Sequence, residues 1–578
     1  MMSKANDGKI AYFSMEIALA PSIPSYSGGL GILAGDTLRS AADLELPLVA
    51  VSLVYRKGYF RQRLDALGNQ TEEPDVWEPQ TRLQPANQTV TVSIEGREVK
   101  LQAWRYDITG MSGHVVPVYL LDSDLPTNSE WDRKLTDSLY AGDNRYRLCQ
   151  EVLLGIGGIA MLRSLGLDDI NSYHMNEGHS SLLTLALLEE ELELRNTQVP
   201  DKDDIEVVRR QCIFTTHTPV PAGFDKFPQA MVQQVLGERR TRLLEQTGCF
   251  RDGILNMTSV ALQFSHYING VAMRHGEVSH GMFPGFPIHA ITNGVHAVTW
   301  TSSAFHDLYD RHVPEWIRDN AYLRYAVGIS LDEIREAHRR AKAVLIEEVQ
   351  RRNGVTLDPS ILTIGFARRA AAYKRADMLF SDLNRLRAIA KNTGPLQIVY
   401  AGKAHPADEG GKALIRRVFA AAAQLKDDIR MVYLENYDMA LAKLMVAGVD
   451  LWLNTPQRPQ EASGTSGMKA ALNGVPSLSI LDGWWIEGCF EGVTGWAIGQ
   501  DGRPETIDTV AEAASLYQKL EEQIIPLFYR QPEAYAVVMR SAIAVNGSFF
   551  NTQRMLEQYK ANAYFPQKLT HPEEILQG

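Results

Sequence analysis

Short apolar runs alternate with amphipathic segments along most of the chain, and this alternation limits the possible folds more than any other feature. The runs ILTIGF and PLQIVYAG, for example, are each followed by a polar loop and a segment with helical periodicity. Strands buried on both faces have this continuous apolar character, and strands that alternate with helices build parallel sheets. The pattern therefore predicts an α/β protein with Rossmann-like, doubly wound domains.

The length of the chain requires more than one domain. A single hydrophobic core stops growing at roughly 250–300 residues, whereas this chain has 578. We expect a Rossmann-like N-terminal domain over residues 1–294, a second Rossmann-like domain over residues 295–540, and a helical tail over residues 541–578 that could pack back on the first domain. Ligands of such sheets bind beyond the carboxyl ends of the strands, so a cleft between the domains is the expected site.

The composition excludes several classes of protein. Hydrophobic residues make up 45% and charged residues 22% of the chain, as in folded globular proteins. The net charge of −11 argues against nucleic-acid binding, which requires a basic surface. The four cysteines have no CxxC spacing, no segment is apolar enough for a membrane span, and the first residues lack a signal-peptide core. We therefore expect a cytoplasmic protein with reduced cysteines, with neither nucleic acid nor a membrane as its partner.

The segment EASGTSGMKAALNG combines a loop of small residues with the start of a predicted helix. Glycine and serine allow the backbone to approach a ligand closely, and a helix N-terminus favours an anion. The loop therefore predicts a phosphate site, although its spacing differs from that of a P-loop. Lys469 lies just inside the helix, where it would pair with the anion or form a Schiff base with pyridoxal phosphate. A capped helix followed by a solvent-exposed lysine is the alternative.

A cluster of cations follows the apolar run LTIGFA. Arg368, Arg369, Lys374 and Arg375 lie within eight consecutive residues. A turn after a parallel strand points side chains into the ligand cleft, where these cations would hold phosphate. A solvent-exposed helix face is the usual fate of such a charge run, but Arg368 and Arg369 follow the strand directly. The glycine-rich turn in SYSGGLGILAGD would add backbone amides to such a site.

Polar residues also follow strands in the first half of the chain. The segments HMNEGHSS and TTHTPVPAG place Asn176, Glu177, His179 and His217 after apolar runs. These side chains suit the hydroxyl groups of a sugar. A zinc site that also uses His174 is disfavoured, because the spacing of His174 and His179 does not place them on one helix face. We therefore expect no metal.

Together these segments resemble the α-glucan phosphorylase family, which includes glycogen, maltodextrin and starch phosphorylases. The resemblance runs in order over most of the chain, through YFSMEI, SGGLGILAGD, GDNRYRLCQE, NEGHSS, THTPVPAG, ITNGVH, RRAAAYKR, AGKAHP, YLENYDMALA and EASGTSGMKAALNG. It implies the GT-B fold, in which two Rossmann-like domains face each other across a cleft. Glucose would bind on the first domain, and pyridoxal phosphate with inorganic phosphate on the second.

The resemblance also implies a reaction and a set of site residues. Lys469 would carry pyridoxal 5′-phosphate as a Schiff base, with the cofactor phosphate acting as acid and base. Inorganic phosphate, held by Arg369 and Lys374, would reversibly release the non-reducing terminal glucose of an α-1,4-glucan as glucose 1-phosphate, with retention. The backbone carbonyl of His217 would stabilise positive charge on the sugar. The other implied cofactor contacts are Arg368, Thr465, Ser466, Gly29 and Tyr437. The implied glucose contacts are Glu461, Ser463, Gly464, Asn293, Leu30, Asp143 and Asn144, along with His217.

The sequence departs from the family pattern near the expected site. Arg368 stands where relatives commonly have lysine, and alanines replace a histidine and a glutamate just before Tyr373. Trp484 and Trp485 replace small residues of the longer family members. These departures bear on the geometry of the phosphate site and on the preferred glucan.

A nucleotide-sugar glycosyltransferase of the glycogen synthase type is the main alternative, because it shares the SGGLG turn and a cationic pair. Such an enzyme has no use for Lys469. A non-catalytic glucan-binding protein would be expected to have lost Lys469, Arg369 or Lys374, and a conventional pyridoxal phosphate enzyme has a different order of motifs. Family members are commonly dimers, so a homodimer is one possible assembly.

Overall fold

A computed structural model describes residues 8–499 and 508–565. In chain order, its strands are β1 (Lys9–Ser14), β2 (Leu48–Leu53), β3 (Arg61–Leu64), β4 (Gln70–Glu73), β5 (Gln84–Ile94), β6 (Arg97–Thr109), β7 (Val115–Asp122), β8 (Ile170–Asn176), β9 (Cys212–Thr215), β10 (Lys226–Pro228), β11 (Phe250–Arg251), β12 (Ile254–Asn256), β13 (Tyr267–Gly270), β14 (Ile288–Ala290), β15 (Leu362–Ala367), β16 (Leu396–Ala401), β17 (Arg430–Leu434), β18 (Leu451–Asn454), β19 (Ser477–Ile480) and β20 (Gly495–Ile498). The start of the predicted first domain and the last part of the predicted tail, residues 566–578, lie outside the described residues.

Helices separate most of these strands. They are α1 (Gly29–Asp43), α2 (Glu130–Arg133), α3 (Asn144–Val152), α4 (Gly158–Ser164), α5 (Leu183–Leu194), α6 (Lys202–Gln211), α7 (Gln229–Leu236), α8 (Glu238–Gln246), α9 (Met257–Gln263), α10 (Met273–Met282), α11 (Ala297–Trp300), α12 (Ser303–His312), α13 (Leu331–Asn353), α14 (Leu383–Asn392), α15 (Glu409–Leu425), α16 (Met439–Gly448), α17 (Ser466–Ala471), α18 (Trp485–Gly488), α19 (Thr509–Lys519), α20 (Ile525–Arg530), α21 (Pro532–Ser541) and α22 (Thr552–Tyr559). None of the helices in the described ranges combines the length and the apolarity needed to cross a membrane.

The first half of the chain builds a nine-stranded sheet in the order β14-β13-β9-β8-β1-β2-β7-β6-β5. The strands from β14 to β7 are parallel, and β5 and β6 extend the sheet as antiparallel neighbours. A tight turn joins β5 and β6, with positive φ at both Glu95 and Gly96. Strand β1 pairs with β2 on one side and with β8 on the other, so the chain changes direction across the sheet at β1. Such a switch point favours a ligand at the carboxyl ends of β1 and β8.

The second half builds a sheet of six parallel strands in the order β17-β16-β15-β18-β19-β20. This is the strand order of dinucleotide-binding folds, in which the chain switches direction between the first and fourth strands. Here these strands are β15 and β18. The sequence prediction of an α/β fold with doubly wound sheets is confirmed.

Helix α1 begins at Gly29, whereas the sequence pattern predicts a loop there and a helix only from Thr37. Tertiary packing overrides the low helix propensity of glycine. Residues Ile32 to Ala34 are buried, and a Cβ at Gly35 would lie only 2.1 Å from the carbonyl oxygen of Ala18. Gly31 and Gly35 therefore allow the helix to pack closely against the chain that follows β1.

The end of the described chain returns to the first sheet. Helix α22 packs on α1, and Ser40 and Thr552 share a buried hydrogen bond of 2.6 Å. Met555, Leu556 and Tyr559 are buried in the hydrophobic cluster that covers one face of this sheet. The segment before α22, which includes Phe550, instead packs in the core of the second half.

Candidate active site at two facing sheet edges

Three charged side chains meet beyond the carboxyl end of β15. Oε2 of Glu461 accepts from Nη2 of Arg368 at 2.7 Å and from Nζ of Lys374 at 2.5 Å. All three side chains are more than nine-tenths buried. Burial would raise the pKa of Glu461, but the two cations outweigh it and lower the pKa to about 2. Glu461 is therefore ionised at every physiological pH.

Arg369 lies beside this cluster but is more open to solvent. Within residues 8–499 and 508–565, no carboxylate pairs with its guanidinium group. A Cβ placed on Gly28 would lie 3.2 Å from Nη2 of Arg369. The cation from the second sheet is thus in close contact with the glycine-rich turn of the first sheet, and it is available for an anion.

Arg375 has a different role from its neighbours. Its guanidinium group donates to the carbonyl oxygens of Thr455 and Pro456, at 2.9 and 2.6 Å, and pairs with Glu512 at 2.6 Å. Its backbone has a φ of 47°. Arg375 therefore connects the end of the loop that carries Arg368, Arg369 and Lys374 to the chain that follows β18.

The loop from Ser463 to Thr465 joins the region after β18 to α17, which begins at Ser466. Gly464 has a φ of 76°, which favours glycine. Oγ of Ser466 accepts the indole N–H of Trp452 at 3.0 Å. Lys469, in α17, is buried, and its Nζ lies 3.9 Å from the centre of the Trp300 ring. The alternative of a solvent-exposed lysine is therefore wrong.

The amine of Lys469 is tuned by its surroundings. Burial lowers its pKa to about 8, and the negative charge of Asp36 only partly opposes this effect. None of the carboxylates in the described part of the chain forms an ion pair with it. A larger fraction of this amine than of an ordinary exposed lysine is therefore neutral and nucleophilic near neutral pH.

A second layer supports the loop from behind. Asp482 accepts the backbone N–H groups of Glu461 and Gly483, at 2.9 and 3.0 Å. The backbone N–H of Trp484 donates to the carbonyl oxygen of Ser463 at 2.9 Å. Trp484 and Trp485 are both buried, and Trp484 packs edge-on against Phe550. The two tryptophans therefore support the loop from the hydrophobic core.

The residues present fit a phosphate-bearing aldehyde such as pyridoxal phosphate. Lys469 offers a buried amine without a carboxylate partner among the described residues. The Ser463 hydroxyl and the side-chain oxygens of Asn454 and Asn293 are buried and, within the described ranges, lack hydrogen-bond partners. Buried polar atoms normally have partners. These three atoms are therefore available to a polar ligand.

The first sheet contributes a carboxylate at its switch point. Oε2 of Glu16, just after β1, accepts the backbone N–H groups of Ser27 and Gly28, at 2.6 and 3.1 Å. Its Oε1 accepts the hydroxyl of Tyr140 at 3.0 Å. Glu16 therefore fixes the glycine-rich turn that faces Arg369.

His217 lies at the same edge, after β9. Its Nε2 lies 2.6 Å from Oδ1 of Asn176, and its backbone N–H donates to Glu177 at 2.8 Å. Burial lowers the pKa of His217 to about 3, so the ring is neutral. Glu177 has a φ of 80°, which is unusual for a residue other than glycine.

The described residues contain no group of three or more His, Cys, Asp or Glu side chains placed to hold a metal ion.

The remaining predicted residues occupy varied positions. Asn293 is buried and Tyr437 half-buried, whereas Gly29 and Leu30 form the first turn of α1. The exposed Asp143 caps α3 by accepting the N–H of Tyr146 at 2.9 Å, and Asn144 begins that helix. Within the described ranges, no hydrogen bond or ion pair joins His217, Asp143 or Asn144 to Glu461.

Glu16, Trp300 and Asp482 contact residues of the candidate site but were not predicted as site residues. Glu16 lies within the motif YFSMEI, and Asp482 follows an apolar run, so each had a local signal. Trp300 had none, because only the fold brings it to Lys469.

Comparison of this chain with known proteins agrees with the family resemblance of its sequence motifs. A sequence profile of the carbohydrate phosphorylase family matches residues 26–125 and 238–493. The chain is 40% identical to maltodextrin phosphorylase from Thermococcus litoralis, covering 96% of this chain and 70% of that protein. It is 38% identical to glycogen phosphorylase from Mycobacterium tuberculosis, covering 96% and 71%, and 36% identical to glycogen phosphorylase from Aquifex aeolicus, covering 95% and 85%. The chain therefore belongs to the carbohydrate phosphorylase family.

Proposed function

We propose that this protein is an α-1,4-glucan phosphorylase that uses pyridoxal 5′-phosphate and inorganic phosphate. It would reversibly release the non-reducing terminal glucose of glycogen, starch or maltodextrin as glucose 1-phosphate, with retention. The observation that carries the proposal is the placement of a buried amine, Lys469, behind a glycine-rich loop whose neighbouring strand supplies Arg368, Arg369 and Lys374. Relatives named maltodextrin and glycogen phosphorylase support the substrate class.

Six residues are proposed to hold the cofactor. Lys469 would bind its aldehyde, and Arg368, Thr465, Ser466, Gly29 and Tyr437 would contact it. When bound, pyridoxal phosphate supplies a phosphate group that exchanges a proton with the substrate phosphate.

Arg369 and Lys374 are proposed to neutralise the substrate phosphate. Two phosphates side by side repel each other unless fixed cations offset the repulsion. Arg369 lacks a carboxylate partner among the described residues, whereas Lys374 is paired with Glu461 at 2.5 Å. A phosphate that took over Lys374 would leave Glu461, still paired with Arg368, with one acceptor position open for a sugar hydroxyl.

The sugar side is proposed to use groups from both sheets. Glu461, Ser463, Gly464, Asn293, Leu30, Asp143 and Asn144 would hold the terminal glucose, and the carbonyl oxygen of His217 would face the anomeric carbon. Because the imidazole of His217 is neutral, the ring adds no positive charge that would oppose the charge developing on the sugar.

A homodimer and a cytoplasmic location remain predictions.

The competing proposal of a nucleotide-sugar glycosyltransferase has no support from the comparisons, in which the family and the named relatives are phosphorylases. It would also leave the buried amine of Lys469 without a purpose.

Borohydride reduction of the purified protein, followed by peptide mass mapping, tests the cofactor. We expect a pyridoxyl-phosphate adduct on Lys469 and phosphorolysis of maltodextrin. Lys469→Ala is expected to lose both, while Lys443→Ala, at a half-buried lysine of α16, retains both. Absence of an adduct on folded protein, combined with binding of a nucleotide-glucose, would reverse the proposal in favour of the transferase.

A further inference from the structure

A polar hairpin of the first half, β3 and β4, lies against loops of the second half. Most side chains of this hairpin are exposed, but Gln62 and Gln70 are 0% and 7% exposed. We infer that these two glutamines are positioning residues that hold the loop carrying Arg368 and Arg369. The inference rests on the proposed function, because it assigns those arginines to phosphate binding.

Gln70 pairs with the backbone of a single residue across the two halves of the chain. Its Oε1 accepts the N–H of Ala404 at 2.9 Å, and its Nε2 donates to the carbonyl oxygen of Ala404 at 2.9 Å. The side-chain amide thus reproduces the pattern of a neighbouring strand. Both hydrogen bonds are buried, so neither is exchanged for water at low cost.

Gln62 extends this contact to two loops. Its Nε2 donates to Oε1 of Gln70 at 2.8 Å and to the carbonyl oxygen of Gly402 at 2.9 Å. Its Oε1 accepts the N–H of Asn436 at 2.9 Å, and its own N–H donates to Oδ1 of Asn436 at 3.2 Å. Asn436 directly precedes Tyr437, which is proposed to contact the cofactor.

The loop held by the glutamines is packed directly on the arginine loop. The N–H of Ala370 donates to the carbonyl oxygen of Lys403 at 2.9 Å, and the N–H of Arg368 donates to that of Ala401 at 3.3 Å. A Cβ at Gly402 would lie 1.9 Å from the carbonyl oxygen of Arg368, so the two loops touch along their backbones. A shift of residues 402–404 therefore displaces the arginines.

Further contacts fix the hairpin in the same place. Nζ of Lys403 donates to the carbonyl oxygen of Phe60 at 2.9 Å, and Arg63 pairs with Glu435 at 3.2 Å. Neither glutamine forms a hydrogen bond with Lys374, Glu461 or Lys469. Their effect on phosphate must therefore pass through the loop.

Gln70→Met and Gln62→Met remove the amides while keeping the side-chain volume. Gln84→Met, at an exposed glutamine in β5, is the matched control. Two quantities would be measured: KM for phosphate against KM for maltodextrin, and the hydrogen-exchange rates of the Ala404 and Ala370 amides. We expect either buried variant to raise KM for phosphate by about fivefold or more, to leave KM for maltodextrin within about twofold, and to speed exchange at both amides.

The exchange measurement separates this inference from the proposed function. Faster exchange at Ala404 with an unchanged rate at Ala370 would overturn the inference, because the disturbance would stop short of the arginine loop. Equal rises in both KM values would also overturn it, since a general loss of structure explains them. If the wild-type protein has no phosphorolysis at all, the proposed function fails, while faster exchange at Ala370 still supports the positioning role.

Discussion

The pKa of Lys469 makes the attachment of an aldehyde cofactor depend on pH. Its pKa in the folded protein is about 8, below its ordinary value of 10.5. Between these values the unfolded state binds more protons, so the contribution of Lys469 to stability rises with pH across that window. The neutral amine, which reacts with an aldehyde, is already abundant above pH 8.

We therefore predict that adduct formation between cofactor-free protein and pyridoxal phosphate rises with pH and levels off above an apparent pKa near 8. The rate is measured by borohydride trapping at a series of pH values. A rate that continued to climb toward pH 10.5 would indicate an ordinary exposed lysine instead.

Lys374→Ala is predicted to raise KM for phosphate at least about tenfold, because charge-assisted contacts with a buried anion are strong. KM for maltodextrin should change much less, since Arg368 still pairs with Glu461 at 2.7 Å. Initial rates measured at varied concentrations of each substrate test this. Lys391→Ala, at a lysine that pairs with Asp428 on the surface, serves as the control. Comparable changes in both KM values would contradict the phosphate role.

The sequence predicts residues whose role depends on local pattern, and it misses those whose role depends on the fold. Lys469 is recognisable because its loop and helix lie within one short segment. Trp300 and Gln70 reach their partners across 169 and 334 positions, which no local pattern records. Arg375 belongs to the predicted cluster of cations, but its ion pair with Glu512 stabilises the loop that carries it.

Among the elements, the glycine-rich loop depends on a turn behind it. Gly483 has a φ of 55°, and a Cβ there would lie 2.3 Å from the carbonyl oxygen of Ser463. Helix α1 also depends on the rest of the fold, because its glycines become helical only where the chain after β1 packs against them. Propensity alone placed its start eight residues too late, at Thr37 instead of Gly29.

Gly483→Ala is predicted to destabilise the protein and to raise KM for maltodextrin. The matched control is Gly492→Ala, where φ is 72° and no atom lies within 4 Å of the added Cβ. The control should lose about 1–2 kcal/mol from backbone strain alone. Gly483→Ala should lose more, because the loop at Ser463 must also move. Denaturant unfolding and steady-state kinetics test both variants, and equal losses with unchanged kinetics would refute the dependence.

At the scale of the whole molecule, the fold brings together two switch points. The switch point of the first sheet carries Glu16 and Glu177. The switch point of the second sheet carries Arg368 and the loop before Lys469. The alternation of strands and helices predicted the α/β class, and both sheets confirm it. The strand order was beyond local patterns, because the pairing of β15 with β18 skips two intervening strands.

Because phosphate is proposed to bind at the junction of the two sheets, it should stabilise the folded molecule. At a phosphate concentration 100 times Kd, the expected gain is about 2.7 kcal/mol. Thermal unfolding with and without phosphate, at constant ionic strength, measures it. Arg369→Ala should lose most of this gain, whereas Arg339→Ala, at an exposed arginine of α13, should keep it. A gain that survived in Arg369→Ala would place the phosphate elsewhere.

The stacking of Lys469 on Trp300 gives the site its own optical signal. The indole ring lies 3.9 Å from the amine, so a change of charge or covalent state at Lys469 alters the local field that sets the emission of Trp300. The chain has nine tryptophans. Subtracting the spectrum of Trp300→Phe would isolate this contribution. Events at the lysine can therefore be followed in real time by fluorescence, without an added label or a coupled assay.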